Sequence, residues 1–392
     1  MMRVTPRLYF FLAMFCAVVA HAQTYERDVK FLRGALQIWG FNDENMDRFS
    51  NPYIGPTEFR LSEAHAPWSG NYFAMKHGGI ANRWQVGEKR FPRLHQLPTK
   101  EQVLEMTSEQ VNLLSPAEKY DIFKGDYNFS MTKQELFSRG PMRGLKPKIW
   151  EGFCNGVRCA STIFPEPKTS VVVKNRDGVA IKFQSSDLKA LAGATYFFVE
   201  KYAQMGAPTV QDKAEAQPNA AVFDLALRYF LAQKKKSFMV DANLGKQIWN
   251  ESVIGYHREV SPPKELTADE QWLRPWAIAK VQVEGYLETL GEVDIEKTNG
   301  PTVKKIAEGE LHEKLPISYV LYIDAQGSAL DGKWNKSKNL RGVDFVWFGA
   351  GEGTDSHPSN RWGNGNPYLE FKTLKKLIHM SAAQSCRKLF TD

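Results

Sequence analysis

Trp150-Glu151-Gly152-Phe153-Cys154-Asn155-Gly156, running on through Val157 to Ile163, marks the point where the texture of the chain changes. Residues 157–163 make a short helix that ends before Pro165, and this places Cys154 at the helix N-terminal end. A thiolate there is stabilised by the helix dipole and by the backbone N–H groups of the first turn. A nucleophilic cysteine needs such a setting, together with a base and a carboxylate to orient that base. The Cys154-x-x-x-x-Cys159 spacing taken alone also admits a local disulfide or two buried thiols.

Upstream of Trp150 the chain reads as helices and loops. Thr99-Lys100-Glu101-Gln102 and Ser115-Pro116-Ala117-Glu118 are capping boxes, the second with proline at the first helical position. Thr132-Lys133-Gln134-Glu135 starts a third helix. Residues 50–98 are rich in Gly, Pro, Trp and Asn, which predicts a path over the surface or along a cleft.

Downstream, Thr169 to Phe183 is a hairpin turning at Asn175-Arg176-Asp177-Gly178. Asp187 to Met205 has helical spacing with Ser185 or Ser186 as cap, residues 206–218 form a loop, and Ala220 to Ala232 is a further helix. Strands follow at 238–241, 247–256, 280–288 and 317–324, the last turning through Asp324-Ala325-Gln326-Gly327 into 328–334. Helices followed by strands predict an α+β fold, its sheet mostly antiparallel and in the C-terminal half. The expected division is a helical and loop part over 23–145 and a second region over 146–392, or one large domain from 23 to 392.

Arg3 and Arg7, the apolar run Leu8 to Ala20 and the small-x-small site Ala20-His21-Ala22 read as a cleaved secretory signal with Gln23 as mature start. That run is too short to span a bilayer, and no later run is apolar enough, so the expected location is secreted, periplasmic or in the cell envelope. Hydrophobic residues make up 43% of the 392 and aromatic residues 12%, enough for a substantial core. The net charge of +7 is scattered apart from Lys234-Lys235-Lys236, which gives no nucleic-acid patch. Beyond the signal remain Cys154, Cys159 and Cys386, an odd number for an oxidising compartment. Neither a metal-ligand spacing, nor a phosphate loop, nor a Gly-x-Ser-x-Gly elbow is present.

Several segments resemble the transglutaminase elicitor family of oomycete cell walls and its exported bacterial relatives. They are Pro67-Trp68-Ser69-Gly70, Gly78-Gly79-Ile80-Ala81-Asn82-Arg83-Trp84, Leu114 to Asp121, the Trp150 to Ser161 block, Glu166-Pro167-Lys168, Ser186 to Leu191, Ile248 to Tyr256 and Tyr319 to Trp334. The resemblance implies a reaction in which Cys154 attacks a protein glutamine amide, releases ammonia and passes the acyl group to an amine or to water. It also implies that the Cys154 helix packs on the antiparallel sheet; no cofactor and no metal ligand are expected, and a calcium requirement stays open. Trp150, Trp249 and Asn250 fall where the resemblance implies a substrate cleft, and Asp241 falls on an acidic position of the family.

The departures lie at the reacting centre. Asp224 stands at the family's histidine position, and no histidine occurs between His95 and His257. Asp224 is either a carboxylate partner for Cys154 or an ion-pair partner for Arg228, four residues on. His257 is a weaker source of imidazole, and His77 beside Gly78-Gly79 borders a cleft. Asp241 is either the family acid or a strand-end turn carboxylate. Arg158 replaces an alanine of the family block and either holds the Cys154 thiolate or faces solvent. The functional expectation is protein-glutamine acyl transfer or deamidation. Its counterpart is a catalytically degenerate surface or binding protein on the same scaffold.

Overall fold

The computed structural model describes residues 24–84, 96–207, 217–242, 247–294, 299–307, 312–335, 342–353 and 366–387. The signal segment 1–22 lies outside them, as does the side chain of Cys386. The chain forms two compact units, each drawn from three stretches. One comprises Met1–His65, Tyr202–Thr289 and Glu313–Gly349, and the other Ala66–Lys201, Leu290–His312 and Ala350–Asp392.

The first unit is built on a sheet whose strand order runs β4 (Val199–Gly206), β10 (Phe345–Gly353), β5 (Met239–Asp241), β6 (Asn250–Val260), β7 (Ala279–Leu290), β8 (His312–Ile323), β9 (Ala329–Trp334). A short β1 (Glu58–Arg60) also pairs with β6. The pairs β1–β6, β10–β5, β5–β6, β6–β7 and β8–β9 are antiparallel, as the α+β reading requires. Helix α8 (Ala220–Ala226) continues into a π-helical turn over Leu227–Gln233 and lies on β9. A side chain at Gly332 would fall 2.6 Å from the Ala221 amide nitrogen, so helix and strand touch only because this position is glycine.

The second unit holds α4 (Pro116–Lys124), α5 (Ser130–Ser138), α6 (Cys154–Ile163), α7 (Ser185–Thr195) and the hairpin β2 (Val171–Lys174)–β3 (Ala180–Phe183). Local chemistry sets its boundaries. The Ser115 hydroxyl accepts from Glu118 N and the Glu118 carboxylate from Ser115 N, closing the capping box. In the hairpin turn Asn175 Oδ1 accepts from Asp177 N and Val179 N, and Gly178 takes φ +85°.

Two expectations change. The helix expected over 187–205 ends at Thr195, and residues 199–206 are strand β4. The continuous apolar run there fits either period, and the aromatic and β-branched residues Tyr196 to Val199 favour the extended form. The segment around Trp68 is not a surface path. Trp68 and Ser69 are fully buried, with the indole N–H donating to the Phe164 carbonyl at 3.0 Å. Helical residues 24–38, α11 (Phe371–Arg387) and strand β10 gave no sequence signal of their own. No helix among the described residues is long and apolar enough to cross a membrane.

Candidate active site

Cys154 opens α6. Its predecessor Phe153 has no side-chain cap to offer, so the first turn presents its N–H groups and its dipole at the cysteine. Helix α6 crosses α7 at a pair of glycines. A Cβ on Gly156 would lie 1.9 Å from the Gly193 carbonyl, and one on Gly193 would lie 2.5 Å from Val157 Cγ2. This crossing fixes the helix that carries the thiol. Cys154 is buried to 8% exposure and Cys159 completely. Both are thiols rather than a bridged pair.

The loop entering α6 is held by a segment far upstream. The Tyr72 carbonyl accepts from Phe153 N at 2.6 Å, and its phenol donates to the Ile149 carbonyl at 3.1 Å. The Tyr72 ring and carbonyl lie so close to Gly152 that a Cβ there would sit 2.5 and 2.4 Å from them. Phe73 takes the left-handed φ of 49°, a strained value for a phenylalanine, with its N–H donating to Asn71 Oδ1 at 2.8 Å. Further along, Met75 N donates to the Glu151 carbonyl at 2.9 Å, and Gly79, at φ +56°, lies against the Phe153 ring. His77 is half-buried in the turn between these two tethers.

Arg158, one turn after Cys154, does not face solvent. It is buried, with Nη1 donating to Ser69 Oγ at 3.1 Å and Nη2 to the Gly291 carbonyl at 3.3 Å. The Tyr72 phenol is pushed above its ordinary pKa by burial, then by the negative charges of Glu292 and Cys154. Tyr72 and Glu292 carried no signal in the sequence, because nothing local distinguishes them. Trp150, just before this loop, is half-buried with Lys148 Nζ 5.7 Å from its ring centre.

In the other unit the structure brings Asp241, Trp249 and Asn250 together. Asp241 is fully buried in β5, pairs in register with Asn250, and its Oδ1 accepts from Trp249 N at 2.9 Å. Asn250 Oδ1 in turn accepts from Trp347 Nε1 at 2.7 Å.

Asp224 is fully buried and its carboxylate is surrounded by donors. Arg228 reaches Oδ2 through Nη2 at 2.6 Å, Arg258 Nε lies 2.9 Å from Oδ1, and the Tyr319 hydroxyl donates to Oδ1 at 2.7 Å. The pairing with Arg228 is therefore present, in the core rather than on a helix surface. Burial alone would raise the Asp224 pKa, but the Arg228 and Arg258 charges hold it below the ordinary carboxylate range. Since adjacent strand residues point to opposite faces, the inward turn of Arg258 sends His257 to the other face of β6. His257 stacks on Tyr286 there, 32% exposed, with Glu259 Oε1 3.4 Å from Nε2. Asp224 and His257 are thus not assembled into one site. Among the described residues no group of three or more His, Cys, Asp or Glu is placed to hold a metal ion.

The family model of the transglutaminase elicitor matches residues 56–381. The chain belongs to the transglutaminase elicitor family. Its fold is similar to the crystal structure of the GP42 transglutaminase from Phytophthora sojae, with a TM-score of 0.61 at 19% identity over 88% of this chain and 99% of that one. No curated protein matches the chain in sequence. A transglutaminase-like fold is thereby established for this member of the transglutaminase elicitor family, with Cys154 at the start of a helix within the matched span.

Proposed function

We propose that this chain is an exported protein-glutamine acyltransferase whose nucleophile is Cys154 Sγ. The observation that carries the reading is the position of Cys154 at the N-terminus of α6, on a loop clamped by Tyr72, in a member of this family. In the first step the thiolate attacks the glutamine side-chain carbonyl carbon, and the C–N bond breaks. Ammonia leaves with the proton that the thiol gave up to a base, and a thioester remains. An amine then attacks the thioester carbon and the C–S bond breaks, restoring the thiolate. Water in place of the amine gives deamidation. First-turn N–H groups of α6 supply donors for the oxyanion in both steps.

The proton carrier we assign is His77. Of the histidines in this unit with described side chains, His77 and His379, only His77 lies in the segment tied to residues 151–153. Asp224 we assign to holding Arg228 and Arg258 in the core, and Asp241 to ordering the Trp249–Asn250 turn, with Trp150, just before the Cys154 loop, as a candidate substrate contact. The test is incorporation of a labelled primary amine into a glutamine-bearing protein. Activity that disappears in Cys154→Ala supports the reading, and an inactive wild type with an accessible thiol favours the degenerate binding protein. Export is tested by the mass of the secreted or periplasmic form, expected to begin at Gln23.

A further inference from the structure

The loop that leads into Cys154 is tied to itself, yet it leaves its aliphatic side chains in solvent. The Arg143 guanidinium pairs with the Glu151 carboxylate, its Nε donates to the Leu145 carbonyl, and Lys148 N donates to Glu151 Oε1 at 3.0 Å. Pro147, at the middle, is buried. Between these anchors Leu145 is 84% exposed and Ile149 64%. A single exposed apolar side chain is ordinary on a protein surface. Two on one loop whose bracing keeps them from turning inward mark a surface that meets something else. Lys146 and Lys148 are exposed on either side of Pro147. From 143 to 151 the loop has three basic residues and one acidic one, and Arg143 takes up that acid, which leaves the two lysine charges facing outward.

Tyr72 fixes how far this surface is from the thiol. Its phenol donates to the Ile149 carbonyl, and its own carbonyl accepts from Phe153 N. Ile149 therefore lies within the span of one tyrosine from the residue that precedes Cys154. A glutamine presented to Cys154 brings the residues that flank it within reach of the loop. Resting on the acyl-transfer reading above, we infer that residues 145–149 form a donor-specificity surface, selecting glutamines flanked by an apolar and an acidic side chain. Leu145 and Ile149 take the apolar neighbour, and Lys146 and Lys148 attract the acidic one. A lipid surface also draws apolar and basic side chains, but its hold grows with buried apolar area, and two aliphatic residues supply little. They are enough for one extended peptide segment.

The test uses one amine acceptor and two donor peptides, one with Leu and Glu beside the glutamine and one with Ser and Lys there. The wild type is expected to favour the first about ten-fold in kcat/KM, mostly through KM, since such contacts are made before and during reaction alike. Lys146→Glu/Lys148→Glu should lower this ratio about five-fold and Leu145→Ser/Ile149→Ser about three-fold. Added salt should weaken the wild-type preference. The rate at which iodoacetamide modifies Cys154 should be the same in all three proteins, which shows that the thiol is undisturbed. Cys154→Ala should bind the first peptide more tightly in fluorescence anisotropy, with no turnover involved. Equal use of the two peptides by the wild type, or a preference that survives in both variants, overturns the inference. Binding to phosphatidylglycerol vesicles that both variants lose, without peptide preference in the wild type, also overturns it and gives the loop to a lipid surface. If neither peptide is a donor, the acyl-transfer reading has failed. Discrimination between the peptides by Cys154→Ala then still upholds the surface, and its absence overturns it.

Discussion

Arg258 Nε lies 2.9 Å from Asp224 Oδ1 in a fully buried cluster that also holds Arg228 and Tyr319. This relationship decides what Asp224 can do. A carboxylate flanked by two guanidinium groups is kept ionised and carries no proton to hand to leaving ammonia.

Removing that charge strands two buried cations. Asp224→Asn is expected to cost about 3–5 kcal/mol at pH 7 in urea unfolding. The folded pKa lies below the unfolded value of about 3.9, so the stabilisation is present above about pH 4 and lost as pH falls through the folded value. The gap between wild type and Asp224→Asn should therefore hold from pH 8 to 5 and close on further acidification. A gap unchanged down to pH 2 would contradict this. Asp224→His is expected to lose stability without gaining amine incorporation.

Lys119 Nζ lies 2.7 Å from Asp187 Oδ2 with both side chains fully buried. Lys119→Met leaves the carboxylate uncompensated and is expected to cost about 3–5 kcal/mol. Lys119→Met/Asp187→Asn removes that charge yet keeps an acceptor for Gln184 N, and should regain more than 1 kcal/mol of the loss. Additive single effects would show that the pair is not coupled.

These pairs also show what was legible in advance. Capping boxes and Asx turns could be read because donor and acceptor lie within four residues, as at Thr99–Gln102 and Asp324–Ser328. The buried pairs Lys119–Asp187 and Glu166–Lys189 join the family-like blocks at 114–121, 166–168 and 186–191, which explains why those blocks carry charged residues at all. Their partners are distant in sequence, so the pairing itself could not be read. The same holds at the site. Cys154 announces itself through its own helix start, whereas Tyr72 is brought to its loop by the fold alone. Two units assembled from three stretches each leave no single linker to recognise.

The two cysteines of α6 should differ in reactivity. Cys154 is at the helix start with some exposure, and Cys159 is mid-helix with none. Brief treatment of the native protein with iodoacetamide, read by peptide mass spectrometry, should modify Cys154 well before Cys159. Equal rates would mean that α6 does not hold its first turn in solution.

Gly152 offers the sharpest test of how the Cys154 thiol, the nucleophile of the proposed reaction, is positioned. A methyl group there would sit 2.4 Å from the Tyr72 carbonyl oxygen, so Gly152→Ala must push the Ile149–Phe153 loop away from its clamp. Overpacking of this kind costs about 1–3 kcal/mol, which leaves room for the protein to stay folded. The larger effect should be on turnover, since displacing a reacting atom by about 1 Å can cost on the order of 10²-fold. Tyr72→Phe keeps the ring against Gly152 and the carbonyl bonded to Phe153 N, and loses the hydrogen bond to Ile149, worth about 0.5–1.5 kcal/mol. The expected order of turnover is wild type, then Tyr72→Phe, then Gly152→Ala. The glutamine-donor KM should change much less than kcat, because substrate contacts are not what the clamp supplies. A folded Gly152→Ala protein with wild-type kcat would show that the Tyr72 clamp does not set the position of the thiolate.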